Sequence, residues 1–108
     1  MYRLIVCYGH PDSRTAFDQY YHSTHRPLAD KIPGVRQWHA GKCTTPDGSK
    51  PPYYLVAELV FDSKHAMEAG LASPEGQAAA ADIDNFATGG VTMLITDDWT
   101  TADSRESR

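Results

Sequence analysis

Tyr53-Tyr54-Leu55-Val56-Ala57-Glu58-Leu59-Val60-Phe61 is the stretch that decides the fold. It is rich in β-branched and aromatic residues and lies between Pro51-Pro52 and Asp62-Ser63, so it reads as a strand. Side chains on a strand alternate between two faces. One parity is Tyr53, Leu55, Ala57, Leu59, Phe61; the other is Tyr54, Val56, Glu58, Val60. Both are apolar, with Glu58 the exception. A face turned to water would instead mix polar residues into the alternation, so a sheet built on this strand needs cover on both sides.

Upstream, residues 4–8 (LIVCY) form a first strand, closed by the turn chemistry of Gly9-His10-Pro11-Asp12. Asp12 or Ser13 can cap a helix there. Phe17, Tyr20, Tyr21, Thr24 and Leu28 recur at three- and four-residue steps, and Phe17, Tyr21, Thr24 and Leu28 are expected to face the core. Pro27 cannot donate to the Ser23 carbonyl, which predicts a stop or kink near residues 24–26. Residues 35–43 make a weaker strand anchored by Trp38, and residues 44–52 an exposed loop. Downstream, Asp62 or Ser63 opens a second helix, and Ser73-Pro74-Glu75 is a fresh helix start. Thr88-Gly89-Gly90 breaks it before a last strand at 91–96.

The order strand–helix–strand–strand–helix–strand specifies an α+β, ferredoxin-like βαββαβ fold. Its four-stranded sheet is antiparallel, with both helices on one face. Residues 4–8 and 91–95 are also largely apolar on both parities. The economical cover for the second face is the same face of another chain, giving a homodimer of the dimeric α+β barrel type with a shared interior. The alternative is a monomer whose tail folds over that face. Residues 1–99 are read as the domain and 100–108 as a polar tail, with Trp99 packing on the partner or anchoring the tail.

Composition narrows the function. The chain has 108 residues, 41% of them hydrophobic and 22% charged, which fits one ordinary globular domain. A net charge of −4 without a Lys/Arg cluster argues against nucleic acid as the partner. The longest apolar run, 4–8, is far too short to cross a bilayer, and no secretory signal opens the chain, so a cytoplasmic protein off the membrane is expected. Cys7 and Cys43 sit in apolar strands and read as free, hydrophobe-like thiols. Neither a GxGxxG, a P-loop nor a Cys/His zinc spacing is present. No cofactor and no metal are expected.

Chemistry concentrates in the first helix. His25 follows Tyr21 by four residues at the edge of the apolar stripe, and Asp18, His22 and His25 share the adjoining flank. Imidazole titrates near neutrality, so His25, with His22 beside it, is a candidate for proton transfer or ligand hydrogen bonding. A structural role is open too: His25 bonding a carbonyl freed by Pro27, and His22 simply solvated. A metal on Asp18, His22 and His25 lacks both a zincin-type Glu and a remote ligand. Tyr8, Tyr21 and Trp38 are candidates to hold a planar or greasy ligand, whereas Tyr20, Tyr53 and Tyr54 read as packing residues. Glu58 is either a rim residue, solvated or ion-paired, or an acid serving a pocket.

A strand ending in Tyr8-Gly9-His10-Pro11, then FDQYYHSTHRPLADKIPGV (17–35) and SPEGQAAAADIDNFATGGVTMLI (73–95), resembles the EthD family, named for a protein of ethyl tert-butyl ether degradation. The resemblance runs from Tyr2 to Asp97, and YHSTHRPL and ADIDNF are its most telling pieces. It implies a dimeric α+β barrel and an oxidoreductase-like activity or an accessory role beside a monooxygenase. The family's recurring helix histidine falls on His25. Two readings follow. One is an enzyme acting on a small hydrophobic organic molecule, with His25 handling a proton and Glu58 or a tyrosine hydroxyl assisting. The other is a non-catalytic binding or accessory protein. Haem on His25 is a third, resting only on an available imidazole.

Overall fold

A computed structural model of the chain describes residues 1–99. Strand β1 (Tyr2–Tyr8) leads to helix α1 (Arg14–Tyr20), a π-helical turn (Tyr21–His25) and a short helix α2 (Arg26–Ala29). Strands β2 (Gln37–Lys42) and β3 (Leu55–Phe61) follow, then helices α3 (Lys64–Ala72) and α4 (Pro74–Asp82), a 3-10 turn (Ile83–Asn85) and strand β4 (Val91–Asp97). The sheet order is β2-β3-β1-β4, with every neighbouring pair antiparallel. This is the ferredoxin-like α+β arrangement expected from the element order.

Helices α1, α3 and α4 each start where a serine can serve their free N–H groups. Ser13 accepts from Ala16, Ser63 from Ala66 and Ser73 from Gly76, each cap contributing about 1 kcal/mol. Ser73 also divides the second helical segment in two, with Pro74 at the first position of α4, where its missing N–H costs nothing.

The first helical segment does not stop at Pro27. It widens instead: over Tyr21–His25 the turn is π-helical, and the Arg26 N–H bonds back to the Tyr21 carbonyl, five residues earlier. Proline is a recognised cause of such irregularity, because it leaves a carbonyl of the preceding turn unserved. A wider turn advances each residue by less than the α-helical angle. That rotates His25 into the core and turns Thr24 out to solvent, reversing the expected order at these two positions.

Register fixes the two faces. Leu4, Val6 and Tyr8 of β1 lie opposite Leu59, Ala57 and Leu55 of β3 and pack beneath the helices with Phe61, which is fully buried. Ile5, Cys7, Val56, Val60 and Leu94 belong to the other face. That face is less uniformly apolar than its strands suggested, because Arg3, Gln37, His39, Glu58, Thr92 and Thr96 share it. The helices leave β4 bare: on their side of the sheet Met93 and Ile95 are 46 and 59% exposed, and on the other face Leu94 is 54% exposed. Cys7 and Cys43 are free thiols. Trp99 is exposed on the single chain, and residues 100–108, read as a polar tail, lie outside the described residues.

Where β1 ends, its backbone runs against the start of β4. A Cβ on Gly9 would come within 2.1 Å of the Gly89 carbonyl oxygen. Gly9→Ala is therefore expected to cost at least the 1–3 kcal/mol typical of overpacking, about as a drop in the urea midpoint at unchanged slope.

Candidate active site

Between the sheet and the helices lies a cavity of about 160 Å³. Leu4, Val6 and Tyr8 of β1 and Ala57 and Leu59 of β3 form its floor, and Met93 of β4 and Trp38 of β2 also line it. Tyr21 and His25 of the π-turn, Ala29 of α2 and Ala79 and Ile83 line the helix side. Among the described residues, the only lining side chains that can donate or accept strong hydrogen bonds are Tyr8, Tyr21, His25 and the Trp38 indole, and none carries a fixed charge.

His25 Nδ1 is 2.9 Å from Asp82 Oδ2, and both side chains are only 7% exposed. Asp82, the last residue of α4, accepts two further hydrogen bonds on Oδ1, from the Tyr20 hydroxyl at 2.6 Å and from Asn85 Nδ2 at 3.0 Å. Burial pushes the Asp82 carboxyl up, but the donors Tyr20, Asn85 and His25 together outweigh it and hold the group below the ordinary aspartate range. An ionised carboxylate can only accept, so Nδ1 of His25 carries the proton. In the neutral form of the ring this leaves Nε2 bare, and Nε2 takes no hydrogen bond among the described residues. Phe86 and Tyr21 pack against the imidazole at 4.7 and 5.5 Å between ring centres and fix its plane.

The aromatic wall is continuous. Tyr21 stacks on Trp38 at 6.1 Å and 15°, and the Arg26 guanidinium covers Trp38 at 5.0 Å. Tyr8 meets Phe17, Tyr21 and Phe86 at 5.5–5.8 Å. Burial pushes the hydroxyls of both Tyr8 and Tyr21 well above the ordinary tyrosine value, so both stay protonated as donors. The Tyr21 hydroxyl is enclosed without a partner among the described residues. Such an orphan costs about 1–3 kcal/mol. Tyr21→Phe is therefore expected to leave thermal stability unchanged or raise it, as read from the melting temperature.

Of the candidate site residues, Tyr8, Tyr21, Trp38 and His25 meet at this cavity. His22 does not: it is exposed and borders a separate surface hollow with Arg26, Trp38 and His39. The π-turn accounts for this, because rotating His25 inward leaves His22 on the outer side. Glu58 does not reach the cavity either. Its strand parity puts it on the opposite face of β3, where it pairs with Arg3 Nη1 at 2.5 Å; Arg3 in turn reaches Asp98. Asp18, expected on a flank with His22 and His25, bonds Lys42 and Tyr54 instead. Among the described residues no cluster of three metal-type ligands occurs, and no helix is long and apolar enough to cross a membrane.

Sequence reasoning passed over Asp82 and its supports Tyr20 and Asn85. A signal was available. From the Pro74 start, Ala79, Asp82, Ile83 and Phe86 fall on one helical stripe, and an acid on an apolar stripe demands a buried partner.

The EthD domain profile matches residues 10–90, which takes in the His25 turn, Asp82 and Phe86. The chain belongs to the EthD family. An EthD family protein from Bacillus halodurans C-125, known from its crystal structure, superposes with a TM-score of 0.85 at 32% identity, covering 91% of this chain and 98% of that one. A Rhodococcus erythropolis protein described as an uncharacterized 11.0 kDa protein in the thcB-thcC intergenic region is 52% identical over 100 residues, 93% of this EthD chain and 97% of the relative. A dimeric ferredoxin-like protein of unknown function from Thermobifida fusca YX shares the fold, with a TM-score of 0.67 at 16% identity over 90% of each chain.

Proposed function

We propose that this EthD protein is an enzyme that moves a proton on a small, mostly apolar organic molecule held in the cavity, with Nε2 of His25 as the general base and then acid. One observation carries the reading: a buried imidazole that lines an apolar cavity is oriented through Nδ1 by a carboxylate with three hydrogen bonds, while its other nitrogen takes no hydrogen bond among the described residues. A base needs that combination of fixed tautomer and free lone pair. A purely structural histidine would be expected to spend both nitrogens on the protein. Tyr8, Tyr21 and Trp38 supply the apolar walls that position the molecule. His22 and Glu58 are given no part. Proton transfer of this kind draws on the chain's own residues.

His25→Gln, which keeps a polar side chain of similar reach but cannot accept and release a proton, is expected to lower turnover of any processed substrate by about 10²–10⁴-fold. The protein should stay folded by circular dichroism. Unchanged turnover would remove His25 from the chemistry. Saturable binding without product for every compound that enters the cavity would favour the non-catalytic binding reading.

The working form is proposed to be a homodimer joined through the face on which Ile5, Val56 and Leu94 keep exposed apolar surface among polar groups. Exposed Leu94 and the description of the Thermobifida fusca neighbour as dimeric support this. Leu94→Glu is expected to shift sedimentation at micromolar concentration from two subunits to one, because two like charges would face each other across a two-fold axis. A wild-type chain that sediments as a monomer would refute the dimer.

A further inference from the structure

We infer that the cavity is entered between α4 and β4, and that its ligand carries an apolar tail that leaves the cavity there and lies on Met93 and Ile95. The inference rests on the cavity being the ligand site, as proposed above, and not on His25 acting as a base.

Exposure marks the entrance. Among the described residues that line the cavity, Ala80 of α4 and Met93 of β4 are exposed, Trp38 and Leu71 are half-buried, and the others are buried. On the β2 side the wall is shut by Trp38, which stacks on Tyr21 and is covered by the Arg26 guanidinium. On the other side the helix layer ends between β1, whose Leu4, Val6 and Tyr8 are buried, and β4, whose Ile95, Met93 and Val91 are exposed.

Those two rows are one surface. The register sets Ile95 beside Leu4, Met93 beside Val6 and Val91 beside Tyr8, all on the helix side of the sheet. The cavity floor thus continues outward without a step in polarity, one strand spacing of about 4.8 Å further on. Met93 belongs to both parts: it lines the cavity and is 46% exposed.

A bare apolar row on an edge strand is a liability, and such rows mark places where something binds. The dimer contact proposed above uses the other face of the sheet and does not cover this row. Residues 100–108, TTADSRESR, hold no large apolar side chain with which to cover it. Continuity with the cavity floor selects the ligand itself as the occupant. The enclosed part, about 160 Å³, is close to the ~150 Å³ cavity that holds benzene, so it takes a head of about that size. Anything longer must pass Met93, and the surface it meets there is apolar. The ligand class is therefore a compact head bearing an alkyl or similar apolar tail, with Met93 and Ile95 setting the preference for tail length.

The test titrates the full-length protein with benzene, ethylbenzene and butylbenzene, following the His25 ring signals by NMR, and sediments the same samples. Butylbenzene is expected to bind about five- to fifteenfold more tightly than ethylbenzene, the upper value being that of two fully buried methylenes. Cross-relaxation should connect its terminal methyl to the Met93 and Ile95 methyl groups. In Ile95→Thr, which keeps the β-branch and so the strand, the advantage should shrink at least twofold. An affinity that peaks at ethylbenzene would mean a closed site and overturn the tail, leaving the cavity reading intact. An undiminished advantage in Ile95→Thr would do the same. If Ile95→Thr turns a wild-type dimer into a monomer, the row belongs to a second copy of the chain and the proposal falls. If benzene itself leaves the His25 signals unmoved, the proposal falls together with the reading of the cavity as the ligand site.

Discussion

Asp82→Ala is expected to lower folding stability by about 3–5 kcal/mol, because three donors lose their acceptor, at about 1–3 kcal/mol for each that stays buried and unpaired. The carboxylate is 7% exposed and accepts from three side chains. Its loss leaves the His25 Nδ1–H, the Tyr20 hydroxyl and an Asn85 amide hydrogen without an acceptor in a site with little water access. Urea unfolding measures the effect, and Asp82→Asn should cost less because the amide oxygen keeps part of the acceptor. A pH dependence follows from the same group. Its folded value is depressed, so its stabilisation is fully present above the unfolded value of about 3.9 and is lost as pH falls through the folded one. Wild type should lose stability on that acid limb, and Asp82→Ala should show a flatter limb. An Asp82→Ala protein within 1 kcal/mol of wild type would mean that the network contributes far less than its burial implies.

Phe61→Ala is expected to be as severe, about 3–5 kcal/mol, for a different reason. Phe61 is 0% exposed at the end of β3, and its ring lies where a Cβ on Gly70 would meet it at 3.0 Å and one on Gly34 at 3.7 Å. Surroundings made of backbone collapse poorly into a void, so the cavity term should be near its full size. Phe61 does not line the candidate active site. Below its lowered unfolding transition the variant should therefore bind cavity ligands as wild type does, measured by titration at low temperature. Weakened binding in the folded variant would show that the sheet end and the cavity are mechanically linked.

The fold was largely legible because its signals are local. Ser13, Ser63 and Ser73 announce the helix starts, and the parity of residues 53–61 announces a sheet. The site was half legible. His25, Tyr8, Tyr21 and Trp38, which line the cavity, stand out by type as imidazole and aromatic rings. Glu58 stayed open between an ion-paired rim residue and a pocket acid because both parities of β3 are apolar, so spacing alone could not say which one meets the helices. Thr24 faces out and His25 in because a constant 100° per residue holds only for a regular helix, and the turn before Pro27 is π-helical. Asp82 escaped because its meaning depends on a partner 57 residues away. The apolar stripe that holds Asp82 signals a buried partner, but no local pattern says which residue it is.

The central claim is that Asp82 holds the His25 proton on Nδ1 and leaves Nε2 bare toward the cavity. Nitrogen NMR of the labelled protein, with His25 assigned by its disappearance in His25→Gln and benzene added as a cavity probe, tests this directly. The account predicts a neutral ring protonated on Nδ1, with an Nε2 signal that shifts saturably as benzene enters. A proton on Nε2, or a ring indifferent to benzene, would contradict it.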